Sequence, residues 1–212
     1  MILGKQLWVG HEKAIKEKPL SEEHIQPVGE GYLGIKGRGG LWTSTYLGNE
    51  LGSDWIQWCL ANDFGVPKDN IYHGYILEPK DNLMIYTIDS LEDMHILFDE
   101  YGYKMFPVTE MEGIKWEKMA EDFDALHLTS NGEAVTRHGF SFFRDITNEL
   151  KPEWKSKTLR NFYGWDCESC FHFKWNFDKI KPITIKAKED DGDTFIKIFK
   201  EAVEMKLEKK EG

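Results

Sequence analysis

LWTSTY, at residues 41–46, joins aromatic, β-branched and hydroxyl side chains and follows the glycine-rich stretch EGYLGIKGRGG at 30–40. Aromatic and β-branched residues favour a pleated strand. Five glycines in eleven residues predict a tightly turned or flexible loop, because glycine adopts backbone angles that other residues avoid. The sequence therefore predicts a loop that leads into a strand with three adjacent hydroxyl side chains, those of Thr43, Ser44 and Thr45.

Outward from this strand, helical and strand patterns mix without regular alternation. Helices are predicted from Ser53 to about Phe64, from Ser90, over about 114–122 and from Asp193. Strands are predicted at 7–10, 71–77, 83–88, 125–129, 165–177 and 182–187, with a turn at 130–132. This order predicts an α+β fold in one domain, residues 1–212, rather than a doubly wound sheet.

Two of the helices have a face that spacing predicts. After the N-cap Ser53, Trp55, Trp58 and Cys59 recur at i, i+3 and i+4. After Ser90, which forms a possible capping box with Asp93, the inward positions are Leu91, Met94, Leu97 and Phe98.

Composition narrows the kinds of protein that this chain could be. With 41% hydrophobic and 14% aromatic residues, the 212-residue chain can bury a substantial core. The segment MILGKQLWVGHEK lacks a secretory signal, and no apolar run approaches the roughly 20 residues of a membrane span. Three cysteines are a sparse, odd set that does not suit a disulfide framework. We therefore expect a cytoplasmic protein without a membrane segment.

Charge is negative overall but uneven. A net charge of −10 argues against the broad basic surface of proteins that hold nucleic acid through phosphates. A basic stretch comprises Arg144, Lys151, Lys155, Lys157 and Arg160. It is interpreted either as a solvated loop or as a contact for a nucleic-acid acceptor, whereas the acidic remainder favours a protein partner.

Motifs of several large enzyme classes are absent. The sequence has no GxxxxGK[ST] phosphate loop, strand-linked GxGxxG, HExxH or GxSxG motif. Kinase, Rossmann dehydrogenase and α/β-hydrolase interpretations therefore have little support.

The late segment WDCES, 165–169, is the second place where chemistry is expected. Phe162, Tyr163 and Trp165 lead into Asp166-Cys167-Glu168, and the apolar strand pattern SCFHFKWNFDKIKPI follows at 169–183. This order of features resembles the ADP-ribosyltransferase superfamily. There, an early S-T-S strand precedes a helix, and the catalytic Glu of an E-x-E or Q-x-E motif opens a late strand. The resemblance covers mainly 39–60 and 160–183.

The resemblance implies a split β-sheet core flanked by helices and an NAD-dependent mono-ADP-ribosyltransferase of the small bacterial or phage type. Such an enzyme would modify a protein or nucleic-acid acceptor, as a toxin or phage–host conflict factor. It implies Glu168 as the catalytic carboxylate, Ser44 as the hydroxyl that holds it, and Asp166 as a contact for the acceptor. The residues expected around NAD are Trp42, Thr43, Thr45, Tyr46, Tyr163, His11 and Arg38.

Two departures from the family pattern concern this site. Asp166 replaces the first Glu or Gln of the late motif. In the strand LWVG at 7–10, Val9 stands where many family members carry an Arg, which leaves His11 or Arg38 as alternatives for holding the NAD phosphates.

Two alternatives stay open. Cys167-x-x-Cys170-x-His172 offers soft ligands for structural zinc, with a fourth ligand from Cys59, His127, His138 or Asp166. A strand would point Cys167 and Cys170 to opposite faces, which disfavours one shared ion. The other alternative is a non-catalytic acidic protein that binds or inhibits a basic partner. The oligomeric state is not predicted.

Overall fold

The predicted strand at 41–46 lies inside a seven-stranded sheet. The computed structural model describes residues 3–10, 12–31, 34–106, 111–137, 151–154, 157 and 159–188. Its strands are β1 (Gln6–Gly10), β2 (Leu41–Thr45), β3 (Ile71–Pro79), β4 (Ile85–Ile88), β5 (Gly102–Lys104), β6 (Glu112–Ile114), β7 (Ala125–Leu128), β8 (Ser169–His172) and β9 (Phe177–Lys186). The predicted helix from Asp193 lies outside the described residues.

Five α-helices accompany the strands within the described ranges. They are α1 (Glu12–Glu17), α2 (Asp54–Ala61), α3 (Leu91–Tyr101), α4 (Trp116–Asp122) and α5 (Ser130–Thr136), with 3-10 turns at Glu22–His24 and Lys68–Asn70. No helix in this part of the chain is long and apolar enough to cross a bilayer.

The large sheet has the order β4-β7-β8-β2-β1-β3-β9, and β5 pairs with β6 in a separate two-stranded sheet. Within the large sheet β4 and β7 run parallel, and the other neighbouring pairs run antiparallel. The α+β class predicted from the sequence is confirmed.

The main core covers one face of the β4-β7-β8-β2 half of the sheet. Strand residues Leu126, Leu128 and Phe171 pack there against Met94 and Leu97 of α3. Helix α3 begins as predicted, because the Ser90 hydroxyl accepts the Asp93 N–H at 3.1 Å. Its predicted inward residues are all buried.

The glycine-rich loop packs onto β8. Gly40 has a φ of 49°, in the left-handed region that favours glycine. A Cβ added there would collide with the Phe171 ring and with the His172 carbonyl oxygen. Glycine at position 40 therefore allows the backbone of the predicted loop at 30–40 to lie close against β8.

Two local predictions were wrong. Residues 130–132 begin α5 rather than a turn, with the Thr129 hydroxyl accepting the Gly132 N–H at 2.9 Å. The single strand predicted at 165–177 is replaced by β8 at Ser169–His172 and by the start of β9 at Phe177.

The predicted shared face of α2 holds for its two tryptophans. Trp55 and Trp58 stack on each other and are only partly buried, whereas Cys59 is buried together with Ile56.

Candidate active site

Glu168 is a buried carboxylate at the edge of β8, and only 5% of its surface is exposed. Its Oε2 accepts the Ser44 hydroxyl and the Thr45 backbone N–H, each at 2.8 Å. Its Oε1 lies 2.9 Å from the Thr45 hydroxyl and 2.7 Å from Nε2 of His127. The two strands that flank β8, which are β2 and β7, therefore hold both oxygens.

These hydrogen bonds keep the carboxylate ionised. Burial on its own raises the pKa of Glu168, because the charged form loses water. The contact with His127 and the hydrogen bonds from Thr45 and Ser44 outweigh burial and bring the pKa below its usual value. The site thus presents a fixed negative charge in a poorly hydrated place, where its field is strong.

A second set of hydrogen bonds lies behind Thr45 on β1. The Gln6 side chain, 0% exposed, accepts the Thr43 hydroxyl at 2.7 Å and donates to the Thr45 hydroxyl at 3.4 Å. Because Gln6 also donates to the Gly4 carbonyl, its amide orientation is determined. The Thr45 hydroxyl, which accepts from Gln6, is left to donate to Glu168.

His172 closes this network at its buried end. Its Nε2 lies 3.0 Å from the Thr43 hydroxyl, which donates to Gln6 and therefore accepts from His172. Burial, and then the nearby His127, lower the pKa of His172 to about 3, so the ring is neutral at physiological pH.

Acid is expected to destabilise the protein through His172. Its folded pKa lies below the ordinary value of 6.5, so the unfolded state binds the proton first. The contribution of the neutral His172 ring to stability is fully present above about pH 6.5. It is lost as the pH falls toward the folded pKa, by up to about 1.4 kcal/mol per pH unit. In His172→Gln, urea unfolding between about pH 7 and pH 5 should show a shallower pH slope. An unchanged slope would contradict the neutral buried ring.

His95 contributes to the same slope and remains in that variant. Burial, and then the Arg160 guanidinium, lower the pKa of His95 to about 4. His172→Gln should therefore reduce the pH dependence without abolishing it.

Asp166 and Glu168 do not share partners. Residues 166–168 precede β8, and the chain bends at 167–168. Asp166 Oδ1 instead accepts from Nη2 of Arg137 at 3.2 Å. Asp166 therefore forms an ion pair with Arg137, the residue that follows α5.

The aromatic residues expected around NAD occupy different environments. Trp42 lies on the core side of β2, 4.4 Å from the Phe171 ring and 4.6 Å from the Trp165 ring. Tyr46 donates to Asn49 at 2.5 Å, whereas Tyr163 is 56% exposed.

Of the residues expected at the NAD phosphates, Arg38 is not joined to Glu168 by any hydrogen bond or ion pair among the described residues. Arg38 is exposed and pairs its backbone with Gly29. His11 lies outside the described residues.

The cysteines offer no ligand set for zinc in the described ranges. All three cysteines are free and buried. No three His, Cys, Asp or Glu side chains of the described residues are grouped so that they could hold a metal ion. His127, one of the proposed fourth ligands, is bonded to Glu168, and His138 lies outside the described ranges.

The basic stretch is only partly a solvated surface. Arg160 is 5% exposed and its Nε lies 2.8 Å from Oε2 of Glu112, whose other oxygen is 3.2 Å from Lys157. Lys151 lies over the Trp154 ring. Arg144 and Lys155 are outside the described residues. Arg160 therefore neutralises a buried carboxylate and is not available to phosphates.

Sequence reasoning missed two residues of the site, His127 and Gln6. In the sequence His127 is one of the candidate zinc ligands, although the alternation of ALHL at 125–128 places it on the face opposite Leu126 and Leu128. No local signal distinguished Gln6, because its role depends on the strands that flank β1.

Comparisons with protein-family models, curated proteins and solved structures found no match.

Proposed function

We propose that the protein is an NAD-dependent mono-ADP-ribosyltransferase that acts on a macromolecular acceptor. The observation that supports this most is the Ser44–Glu168 hydrogen bond, which joins the two short motifs of the family resemblance across 124 residues of sequence. The lowered pKa of Glu168 supports a carboxylate that is charged when NAD binds. The split-sheet core of that family is part of the same proposal.

The proposed chemistry uses the fixed charge. Cleavage of the bond between nicotinamide and ribose leaves positive charge on the ribose, while nicotinamide departs with the bonding electrons. A carboxylate close to that ribose stabilises the charge more in the transition state than in the ground state. Ser44 and Thr45 contribute by preventing the carboxylate from reorienting during the reaction, because they bind both of its oxygens.

The other residues have supporting roles in this proposal. Thr45 is a positioning residue, and Thr43 acts one step further away through Gln6. Asp166, which Arg137 holds in place, would orient the acceptor. Tyr163 is exposed enough to contact either NAD or the acceptor, whereas the buried contacts of Trp42 favour a packing role.

Direct assays test the proposal. Calorimetric titration with NAD should show binding, and incubation with labelled NAD should release nicotinamide. With a cell lysate added, label should enter a macromolecular fraction, and its sensitivity to protease or nuclease identifies the acceptor class. The buried ion pair of Arg160 removes part of the support for a nucleic-acid acceptor, so we expect a protease-sensitive product. Failure to bind NAD would instead favour the acidic interaction protein.

Ser44→Ala is expected to lower the rate of NAD cleavage on the order of tenfold, with little change in NAD affinity. The substitution removes one donor from Oε2, while the Thr45 N–H remains. Adding it to Glu168→Gln should cost little more, because residues that act as a unit are not additive. Thr184→Ala, which removes an exposed hydroxyl from β9, is the matched control. Additive losses in the double variant would show that Ser44 acts elsewhere.

A further inference from the structure

His127 contacts the candidate catalytic carboxylate from a different strand than the hydroxyl residues. It lies on β7, where its register partners are Cys170 of β8 and Thr87 of β4. Its Nε2 is 2.7 Å from Oε1 of Glu168, and their side chains are only 12% and 6% exposed. This pair is therefore an almost completely desolvated contact.

We infer that His127 is a positioning residue for Glu168, an inference that rests on the proposed function. Ser44 and Thr45 both belong to β2, so their three hydrogen bonds restrain the carboxylate from one side. His127 supplies the restraint from β7. Together the two strands fix the plane of the carboxylate, which is what a preorganised charge in a transition state requires.

His127 acts as a hydrogen-bond donor in this arrangement. An ionised carboxylate accepts hydrogen bonds and donates none, so Nε2 must carry the proton. This requirement holds for both the neutral and the cationic ring. The contact is also one of the causes that lower the pKa of Glu168. Asp54 is a further charged group near the pair, and burial and then the charge of Glu168 raise its pKa.

Substitution by glutamine and by leucine separates the donor from the ring. The glutamine side-chain amide places an N–H near the position of Nε2, whereas leucine fills the space without a donor. His127→Leu should lower kcat for NAD cleavage by about tenfold to a hundredfold, the scale of a lost hydrogen bond to a charged group, with little change in KM. His127→Gln should recover most of that loss and keep the wild-type pH profile.

Other outcomes overturn the inference. If glutamine fails to recover the rate, or removes an ionisation from the pH profile, His127 itself transfers a proton. If leucine keeps the wild-type kcat, the contact has no part in the reaction. Circular dichroism and thermal melting of both variants exclude misfolding as the cause of a loss.

A second measurement separates this inference from the proposed function. Nitrogen-15 NMR of the histidine ring should place the proton on Nε2 of His127, and Glu168→Gln should shift that signal. A wild-type protein that neither binds nor cleaves NAD would refute the proposed function, whatever the spectrum shows. A proton on Nδ1 alone, or a signal that Glu168→Gln does not change, would refute the role of His127 independently of activity.

Discussion

Glu168→Gln is expected to lower NAD cleavage and ADP-ribosyl transfer by at least about a hundredfold, the usual scale for losing one preorganised electrostatic group. The glutamine side chain has the shape of glutamate without its charge. Developing positive charge on the ribose would then meet a neutral amide. The measurement is nicotinamide release under single-turnover conditions, which reports chemistry rather than product release.

The variant is expected to fold, because the site can satisfy an amide. The Oε2 position faces the Thr45 backbone N–H, which can only donate, so the amide oxygen belongs there. The amide nitrogen then faces the Thr45 hydroxyl and His127 Nε2, both of which can accept after reorienting a proton.

Glu78→Gln is the matched control for this experiment. Glu78 lies on β3 and forms surface ion pairs with Lys5 and Lys179, away from the contacts of Glu168. It undergoes the same chemical change and should retain wild-type turnover. Wild-type turnover in Glu168→Gln itself would remove Glu168 from the mechanism and the proposed function with it.

Arg160→Met is expected to reduce the free energy of unfolding by about 3–5 kcal/mol, the scale for breaking a buried ion pair by removing one partner. The guanidinium bonds to Glu112 at 2.8 Å, to Asp99 at 2.7 Å and to the His95 carbonyl at 3.2 Å. Methionine fills part of the volume but leaves the buried Glu112 carboxylate with Lys157 as its remaining cation. Urea unfolding at neutral pH measures the loss.

A double variant identifies the cause of that loss. Arg160→Met with Glu112→Met replaces both charges by apolar groups, which costs less than leaving one charge unpaired. It should recover part of the stability. Lys188→Ala removes an exposed cation that pairs with Glu50 and should leave unfolding unchanged. A loss for Arg160→Met no larger than that of Lys188→Ala would show that the buried pair contributes nothing net.

Local sequence signals by themselves determined much of the secondary structure. The α3 helix follows from the Ser90–Asp93 cap and from the spacing of Leu91, Met94 and Leu97, because these interactions lie within one helix. The glycine-rich loop before β2 follows from composition in the same way. The resemblance of two short motifs also led to the Ser44–Glu168 pair, although spacing alone does not bring residues 124 positions apart together.

At residues 130–132 the local sequence signal predicts the wrong secondary structure, and contacts with distant residues favour the helix. Residues 130–132 have the composition of a turn, yet they begin α5. The Thr129 cap is local, but Asn131 also donates to the carbonyl of Asp89, 42 residues earlier in the sequence. Gly132 then approaches the Ile88 carbonyl so closely that a Cβ would collide with it.

Which charged side chains are buried also depends on the tertiary structure. Arg160 belongs to a stretch that reads as a solvated basic loop, but folding places Glu112 beside it, and a paired guanidinium tolerates burial. His127 and Gln6 carry no motif. They reach Glu168 and Thr45 because β7 and β1 flank β8 and β2 in the sheet. Strand order depends on contacts between distant segments. The sequence alone therefore does not show that β7 brings His127 to Glu168.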